Sequence, residues 1–324
     1  MAVHQRFSLT NDAIISTIIS ETKKLPSKME RLPMKLLRAK DFFGTDILPL
    51  RVLHREPQPP YGSHHHEFSE LVIVTGGRGV HVTQQGDIPI SMGDVFIISP
   101  YEVHGYRELE GLGLVNIIFE WERLPLPELD LHDVAGFHTL FILEPRLRRH
   151  YSAQRLRLRF EALQYALNLV ERLENELVCE LPGYRFRTLA LFMELIIWLA
   201  RQYEPVSGAE DGMIPHRLGE VLGYLEHHFT QPISIEQLAR MAGLSRSSLF
   251  RTFKRALGVS PLEYLLRLRL KHACRNLRQT DEPISEIAFN TGFHDSNYFS
   301  RKFKAVMGMS PSEYRHRNRI CFEP

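Results

Sequence analysis

Five side chains in the first third of the chain are spaced to act together. His64 and His66 are followed by Glu70, and His81 and His104 come later. Imidazoles and a carboxylate brought to one place can hydrogen-bond a polyhydroxylated small molecule. Alternatively, His64, His66, Glu70 and His104 can ligate Fe, Mn, Ni or Zn. The favoured reading is a sugar-sized polar pocket lined by His64, His66, Glu70, His81 and His104, with no metal or other cofactor; a metal on four of them is the alternative. A second set lies in the last third. Arg246, Ser247, Arg251 and Lys254, then Ser296, Asn297, Ser300, Arg301 and Lys304, fall on polar faces of two helical patterns. Basic residues beside small polar ones on a helix face suit contact with DNA.

The histidines must be held by strands. Leu71–Val74, Val80–Val82, Asp94–Ile98 and Leu114–Phe119 are strand-like, and Gly76-Gly77, Gln85-Gly86-Asp87 and Met92-Gly93 read as the turns between them. Short strands with glycine turns predict a small β-barrel or jelly roll with the pocket at its mouth. The order His-x-His, Glu, then a distant His resembles the cupin pattern. Beyond it, 155–178 and 184–203 carry helical apolar stripes. They either form a dimer interface, packing like a short coiled coil, or cover the barrel.

The basic faces must be held by a repeated unit. Leu238-Ala239, Gly243, Ser245, Leu249, Phe253-Lys254, Gly258, Ser260-Pro261 and Tyr264 recur as Ile287-Ala288, Gly292, Phe299, Phe303-Lys304, Gly308, Ser310-Pro311 and Tyr314. Alanine lets two helices approach, and glycine permits the positive φ of a tight interhelical turn. Ser245 is the expected N-cap of the second helix. Ser260-Pro-Leu-Glu263 and Ser310-Pro-Ser-Glu313 read as capping boxes with proline at the first helical position. The second copy carries one extra residue near its turn. A helix from Pro261 to about Thr280, roughly 28 Å long at 1.5 Å per residue, would space two recognition helices for successive major grooves.

Composition agrees with this division. The chain has 324 residues and a formal net charge of +2. From Pro215 onward there are 17 Lys and Arg against 10 Asp and Glu; the remainder has 23 against 28. A basic C-terminal third joined to an acidic remainder fits a nucleic-acid-binding domain attached to one that does not touch nucleic acid. Cys179, Cys274 and Cys321 have no CxxC spacing, which points to a reducing compartment and no zinc ribbon. The longest apolar stretch, 188–200, is too short to span a bilayer and contains Glu194. A cytoplasmic location without a membrane partner is expected.

The repeated residues, together with Asp295-Ser-Asn297-Tyr-Phe-Ser-Arg301, resemble the AraC/XylS family of transcription regulators. Lys35-Leu-Leu, Asp41-Phe-Phe43, His64, His66, Phe68, Glu70-Leu-Val-Ile-Val74, Gly79-Val-His-Val82 and Gly93-Asp94 resemble the L-rhamnose operon activators of that family. The resemblance implies an α+β multidomain protein: an N-terminal cupin-like effector barrel with a helical dimerisation segment, and a C-terminal all-α domain with two helix-turn-helix motifs. It places Arg246, Ser247, Phe250 and Arg251, then Ser296, Asn297, Ser300 and Arg301, toward the groove. Arg251 and Arg301 are the candidates for guanine, Phe250 for a thymine methyl, and Lys254 and Lys304 for phosphate. Asp295 either caps its helix or faces RNA polymerase.

The expected organisation is an arm at 1–40, the barrel at 41–150, the dimerisation helices at 151–203, a linker at 204–215 and the DNA-binding domain at 216–324. The implied activity is ligand-responsive activation of a carbohydrate-use operon by a homodimer working with RNA polymerase on double-stranded promoter DNA. L-rhamnose is the effector candidate. Repression, a non-sugar effector, or a metal-dependent cupin enzyme fused to a DNA-binding domain are the alternatives, and no enzyme is the expectation.

Overall fold

The computed structural model describes residues 35–84, 86–127, 129–147, 155–203 and 213–318. Most of the expected arm and linker, and Cys321, lie outside them. The chain divides into two compact units, one ending at Gly223 and the other beginning its C-terminal part at Tyr224.

The first unit is one mixed sheet backed by helices. Its strands are β1 (Lys35–Leu37), β2 (Leu50–Arg55), β3 (Tyr61–His66), β4 (Ser69–Thr83), β5 (Gly86–Ser91), β6 (Asp94–Ile98), β7 (His104–Phe119) and β8 (Leu156–Arg157). The order is β1-β3-β7-β4-β6-β8, with β2 also on β7 and β5 also on β4. The spine is the antiparallel pair β4 and β7, matched from Ser69 opposite Phe119 to Thr83 opposite His104. The turn expected at Gly76-Gly77 is not there: the chain continues through it as strand, and the register shifts between Val74 and Val80 instead. Such bulges bend a strand pair without ending it. The described strands do not close into a barrel. The path ends at β1 and β8, three and two residues long, which are too short to complete a cylinder. The α+β class with a sheet-rich first part and an all-α second part holds.

Alternation assigns the two faces. Leu71, Ile73, Val95, Ile97, Val115, Ile117 and Phe119 pack with α2 (Phe160–Cys179) and α3 (Tyr184–Gln202), which contribute Leu163, Val170, Leu173, Phe192, Leu195 and Leu199. Val72, Val74, Phe96, Ile98, Tyr106 and Leu114 form a separate cluster on the opposite, inner face. A short helix α1 (Ala39–Phe43) places Phe43 against Phe68 and Ile118. Burial on both faces explains the nearly unbroken apolar run Leu71–Val74. Helices α2 and α3 are antiparallel neighbours: the Tyr165 ring packs, tilted, against Trp198 at 4.9 Å and Arg187 reaches Glu176 at 3.0 Å. The predicted helix at 155–178 starts later, because Leu156 and Arg157 pair with β6. Both helices cover the sheet; Phe160, Tyr165, Val178, Leu181 and Phe186 remain exposed on this pair and its connection.

A helical run at 135–147 also underlies the sheet and was not anticipated. His138 within it is fully buried, with Nε2 donating to the His132 carbonyl at 2.6 Å. Burial, opposed by that hydrogen bond, pushes its pKa down to about 4. The folded imidazole therefore refuses a proton that the unfolded chain accepts below pH ~6.5. Its contribution to stability is complete above that pH and is lost as pH falls toward 4, by about 2 kcal/mol between pH 7 and pH 5. Urea unfolding at the two pH values should show a smaller loss for His138→Gln than for the native chain. Equal losses would remove His138 as a source of acid sensitivity.

The second part is all helical. It follows α4 (Ile214–His228) and comprises α5 (Ile235–Ala242), α6 (Arg246–Leu257), α7 (Pro261–Gln279), α8 (Ile284–Asn290), α9 (Ser296–Met307) and α10 (Pro311–Asn318). No helix of the described residues is long and apolar enough to cross a membrane.

Candidate effector pocket and nucleic-acid interface

Strands β3, β4 and β7 bring the N-terminal polar residues together on the inner face. His64 lies opposite His104 in the β3/β7 register, with ring centroids 4.2 Å apart. His66 is 5.1 Å from His104 by centroids and stacks on Phe68 at 4.5 Å. The His66 Nε2 atom stands 3.0 Å from Glu70 Oε2. His81 completes the group, stacked between Phe96 at 4.8 Å and Tyr106 at 5.3 Å, and 5.8 Å from His104. All five residues are buried. The structure thus gathers His64, His66, Glu70, His81 and His104 into one patch. Three of the four alternative metal ligands, His66, Glu70 and His104, offer donor atoms within 4.8 Å of one another; His64 stands beside that trio.

Each of three rings is oriented by a backbone carbonyl. Nδ1 lies 3.1 Å from Gly62 O in His64, 2.6 Å from Phe68 O in His66 and 3.2 Å from Glu102 O in His104. A carbonyl only accepts, so each Nδ1 is the protonated nitrogen and donates. Burial lowers the pKa of His64, and lowers that of His104 to about 3 despite the nearby Glu70. Burial alone would raise Glu70, but the adjacent His66 ring outweighs it and holds the carboxyl below its usual range. The patch is therefore a carboxylate among oriented imidazoles.

Two further inner-face residues escaped the sequence reading. Tyr106 follows His104 by two positions, which alternation alone would have flagged. Asn116 interrupts an apolar strand, is 8% exposed, and has an Oδ1 without a hydrogen-bond partner. A buried polar residue in such a run is itself a signal.

The C-terminal motifs are built as their caps require. Ser245 accepts from Ser248 N–H at 3.2 Å to start α6, and Asp295 accepts from Tyr298 N–H at 2.7 Å to start α9. Asp295 is thus a cap. Gly243 closes α5 at φ 63°, the left-handed conformation that the turn needs. The second turn is longer, with 291–295 between the helices where the first has 243–245; the extra residue of the repeat lies between Gly292 and the cap Asp295, two residues against the single Leu244 between Gly243 and Ser245. Ser310 and Glu313 form a reciprocal capping box. At the matching place Ser260 accepts from Glu263 N–H, but the Glu263 carboxylate turns to Arg267 at 2.8 Å.

Leu249, Thr252, Phe253 and Ala256 bury one face of α6, and Phe299 and Phe303 bury one face of α9. The opposite faces present Ser247, Arg251 and Lys254, and Asn297, Arg301 and Lys304, all exposed. Phe250, Ser296 and Ser300 are half-buried at their margins. Arg246 is exposed but pairs with Glu236 at 2.8 Å, and Arg251 donates to Ser248 Oγ at 3.3 Å. Arg255 and Tyr298 are also exposed on these helices and were not singled out from sequence.

Comparison with known proteins agrees with the two parts. Residues 50–182 match the AraC-like ligand binding domain, and residues 238–317 match a helix-turn-helix domain. The HTH-type transcriptional activator RhaS of Escherichia fergusonii is 35% identical over 286 residues, covering 87% of this chain and 97% of that protein. RhaS of Enterobacter sp. is 33% identical over 283 residues, with the same coverages. Among solved structures, the C-terminal domain of AraT, a response regulator from Geobacillus stearothermophilus, is 33% identical; the match covers 33% of this chain and 90% of that one, with a TM-score of 0.32. These relatives are regulators, not enzymes. The chain belongs to the AraC/XylS family, as a DNA-binding transcription activator with an AraC-like ligand-binding domain.

Proposed function

We propose that this activator responds to a small sugar and controls a carbohydrate-use operon, with L-rhamnose as the first effector to test. The observation that carries the reading is the buried patch of His64, His66, Glu70, His81 and His104 on the inner sheet face. A patch of imidazoles, a carboxylate and a phenol offers both donors and acceptors, as a polyhydroxylated ligand requires. The RhaS relatives match along nearly their whole length, the sheet included. Effector binding regulates only if the ligand favours one arrangement of the protein over another.

On DNA, α6 and α9 are the reading helices. Arg251 and Arg301 pair with guanine, and Lys254 and Lys304 hold phosphates. Ser247, Asn297, Ser296, Ser300, Arg246 and Phe250 complete the two surfaces. The protein works in the cytoplasm as a homodimer beside RNA polymerase; exposed Phe160, Tyr165 and Phe186 on α2 and α3 support a helical dimer contact. Replacing Arg301 with Ala should cost about 1–3 kcal/mol in DNA affinity and relax base preference at one position. Selection of binding sites from a random DNA pool would show this; an unchanged profile would remove Arg301 from the readers.

The effector assignment is tested by melting the full-length protein against neutral sugars, sugar acids and aromatic acids. At about 100-fold over its dissociation constant a ligand stabilises the native state by about 2.7 kcal/mol. A shift with L-rhamnose supports the proposal. A shift only with a non-sugar would overturn it.

A further inference from the structure

We infer that Arg269 of α7 is a positioning residue that fixes the angle between the two helix-turn-helix motifs, so that α6 and α9 reach two stretches of groove together. The inference rests on α6 and α9 being the helices that read DNA. One continuous helix, α7, serves both motifs. Near its start Tyr264 meets Phe253 of α6 edge-on at 6.1 Å and donates to Glu226 of α4 at 2.9 Å. Farther along, Leu270, Ala273, Cys274 and Leu277 enter the core of the second motif. Long helices curve, so α7 alone leaves the angle between the motifs soft.

Arg269 stands where α7 passes from one core to the other. Its Nε donates to Phe229 O at 2.7 Å and its Nη2 to Gln231 O at 2.9 Å. These carbonyls follow the end of α4 and lead into the first motif. They lie at the negative end of a helix, where a cation is favoured. The planar fork of one guanidinium satisfies both. The same group lies over the Phe293 ring of the second motif, 5.9 Å from its centroid. The motifs also touch directly there. A Cβ on Gly292, which sits in the second turn at φ +86°, would lie 2.8 Å from Phe229 O and 2.9 Å from both Thr230 Cα and Arg269 Nε. Beside them, His272 of α7 stacks on Phe229 at 4.0 Å. The backbone that enters the first motif thus rests on the turn of the second, with Arg269 bonded to one and packed on the other. A rigid pair gains from filling both stretches of groove, because the second contact needs no further ordering. A loosened pair keeps each contact and loses that gain.

Binding sites are selected from random DNA with full-length native protein, and the two segments of the site are then scrambled one at a time. In folded Arg269→Gln, judged by circular dichroism and melting, affinity for the full site should fall about tenfold or more. Affinity for DNA with one segment scrambled should stay within about twofold of native, since neither set of contacts is removed. The variant should also discriminate less against one base pair inserted between the segments, a shift of about 3.4 Å along the helix. If Arg269→Gln does not fold, Arg269→Lys, which keeps stem and charge but loses the planar fork, is read by the same criteria. Unchanged full-site affinity and spacing preference in the folded variant would overturn the inference alone. So would equal losses on full and scrambled sites with a salt slope smaller by about one, which would make Arg269 a phosphate contact. Native protein that binds the full site no more tightly than a scrambled one would overturn the inference together with the reading of DNA by α6 and α9.

Discussion

Phe303→Ala will destabilise the second helix-turn-helix by about 3–5 kcal/mol, the usual cost of emptying an aromatic site in a core. Phe303 is 0% exposed, and its ring meets Phe299 and Tyr314 edge-on, each at 5.5 Å. Leu270, Ala273 and Leu277 of α7 complete the same cluster. The ring thus joins α9, α7 and α10. Typical domains have a total stability of about 5–15 kcal/mol, so this loss takes a large share of it. Thermal melting of the full-length protein should show a lower first transition, and specific DNA binding should fail with it. A native-like melt would show that α9 is held by something other than this cluster.

Gly136→Ala should be nearly as harmful, for the opposite reason. A Cβ at Gly136 would lie 1.9 Å from the Ala200 carbonyl oxygen and 2.9 Å from its carbon, with Tyr203 Cβ at 3.1 Å. The obstruction is backbone, so no rotamer change relieves it. In an isolated helix Ala would gain about 0.8–1 kcal/mol over Gly. Separating the run at Ala135–Phe137 from α3 costs about 3 kcal/mol, at the upper end of overpacking penalties, so the clash wins. The denaturation midpoint of the variant should fall. A rise would mean that the two segments can part without loss.

These two positions differ in how far the sequence announces them. Phe303 was legible, because Phe253-Lys254, Gly258 and the Ser260-Pro261 cap each recur 50 residues later, as Phe303-Lys304, Gly308 and Ser310-Pro311. Local chemistry fixes caps and turns, and the structure places Ser245, Gly243, Ser310 and Pro311 as the repeat requires. Gly136 was not legible. Its segment is apolar on several sides and has no 3.6-residue pattern, since both the sheet and α3 cover it. The five pocket residues could be named from their types, but distance could not. Only register reveals that His66, Glu70 and His104 form a trio with His64 beside it. The bend at Gly76-Gly77 was misread as a turn because glycine pairs signal turns and bulges alike.

The proposed effector response is that a sugar bound at the inner sheet face changes what α6 and α9 do at a promoter. Its most direct test is transcription in a purified system, using full-length protein, RNA polymerase and a promoter fragment recovered from genomic DNA by the protein itself. The predicted result is that L-rhamnose or another sugar identified by melting raises transcript severalfold, and that Tyr106→Phe or Asn116→Ala weakens this response while basal DNA binding is kept. Transcript that stays the same with every sugar that binds would contradict it.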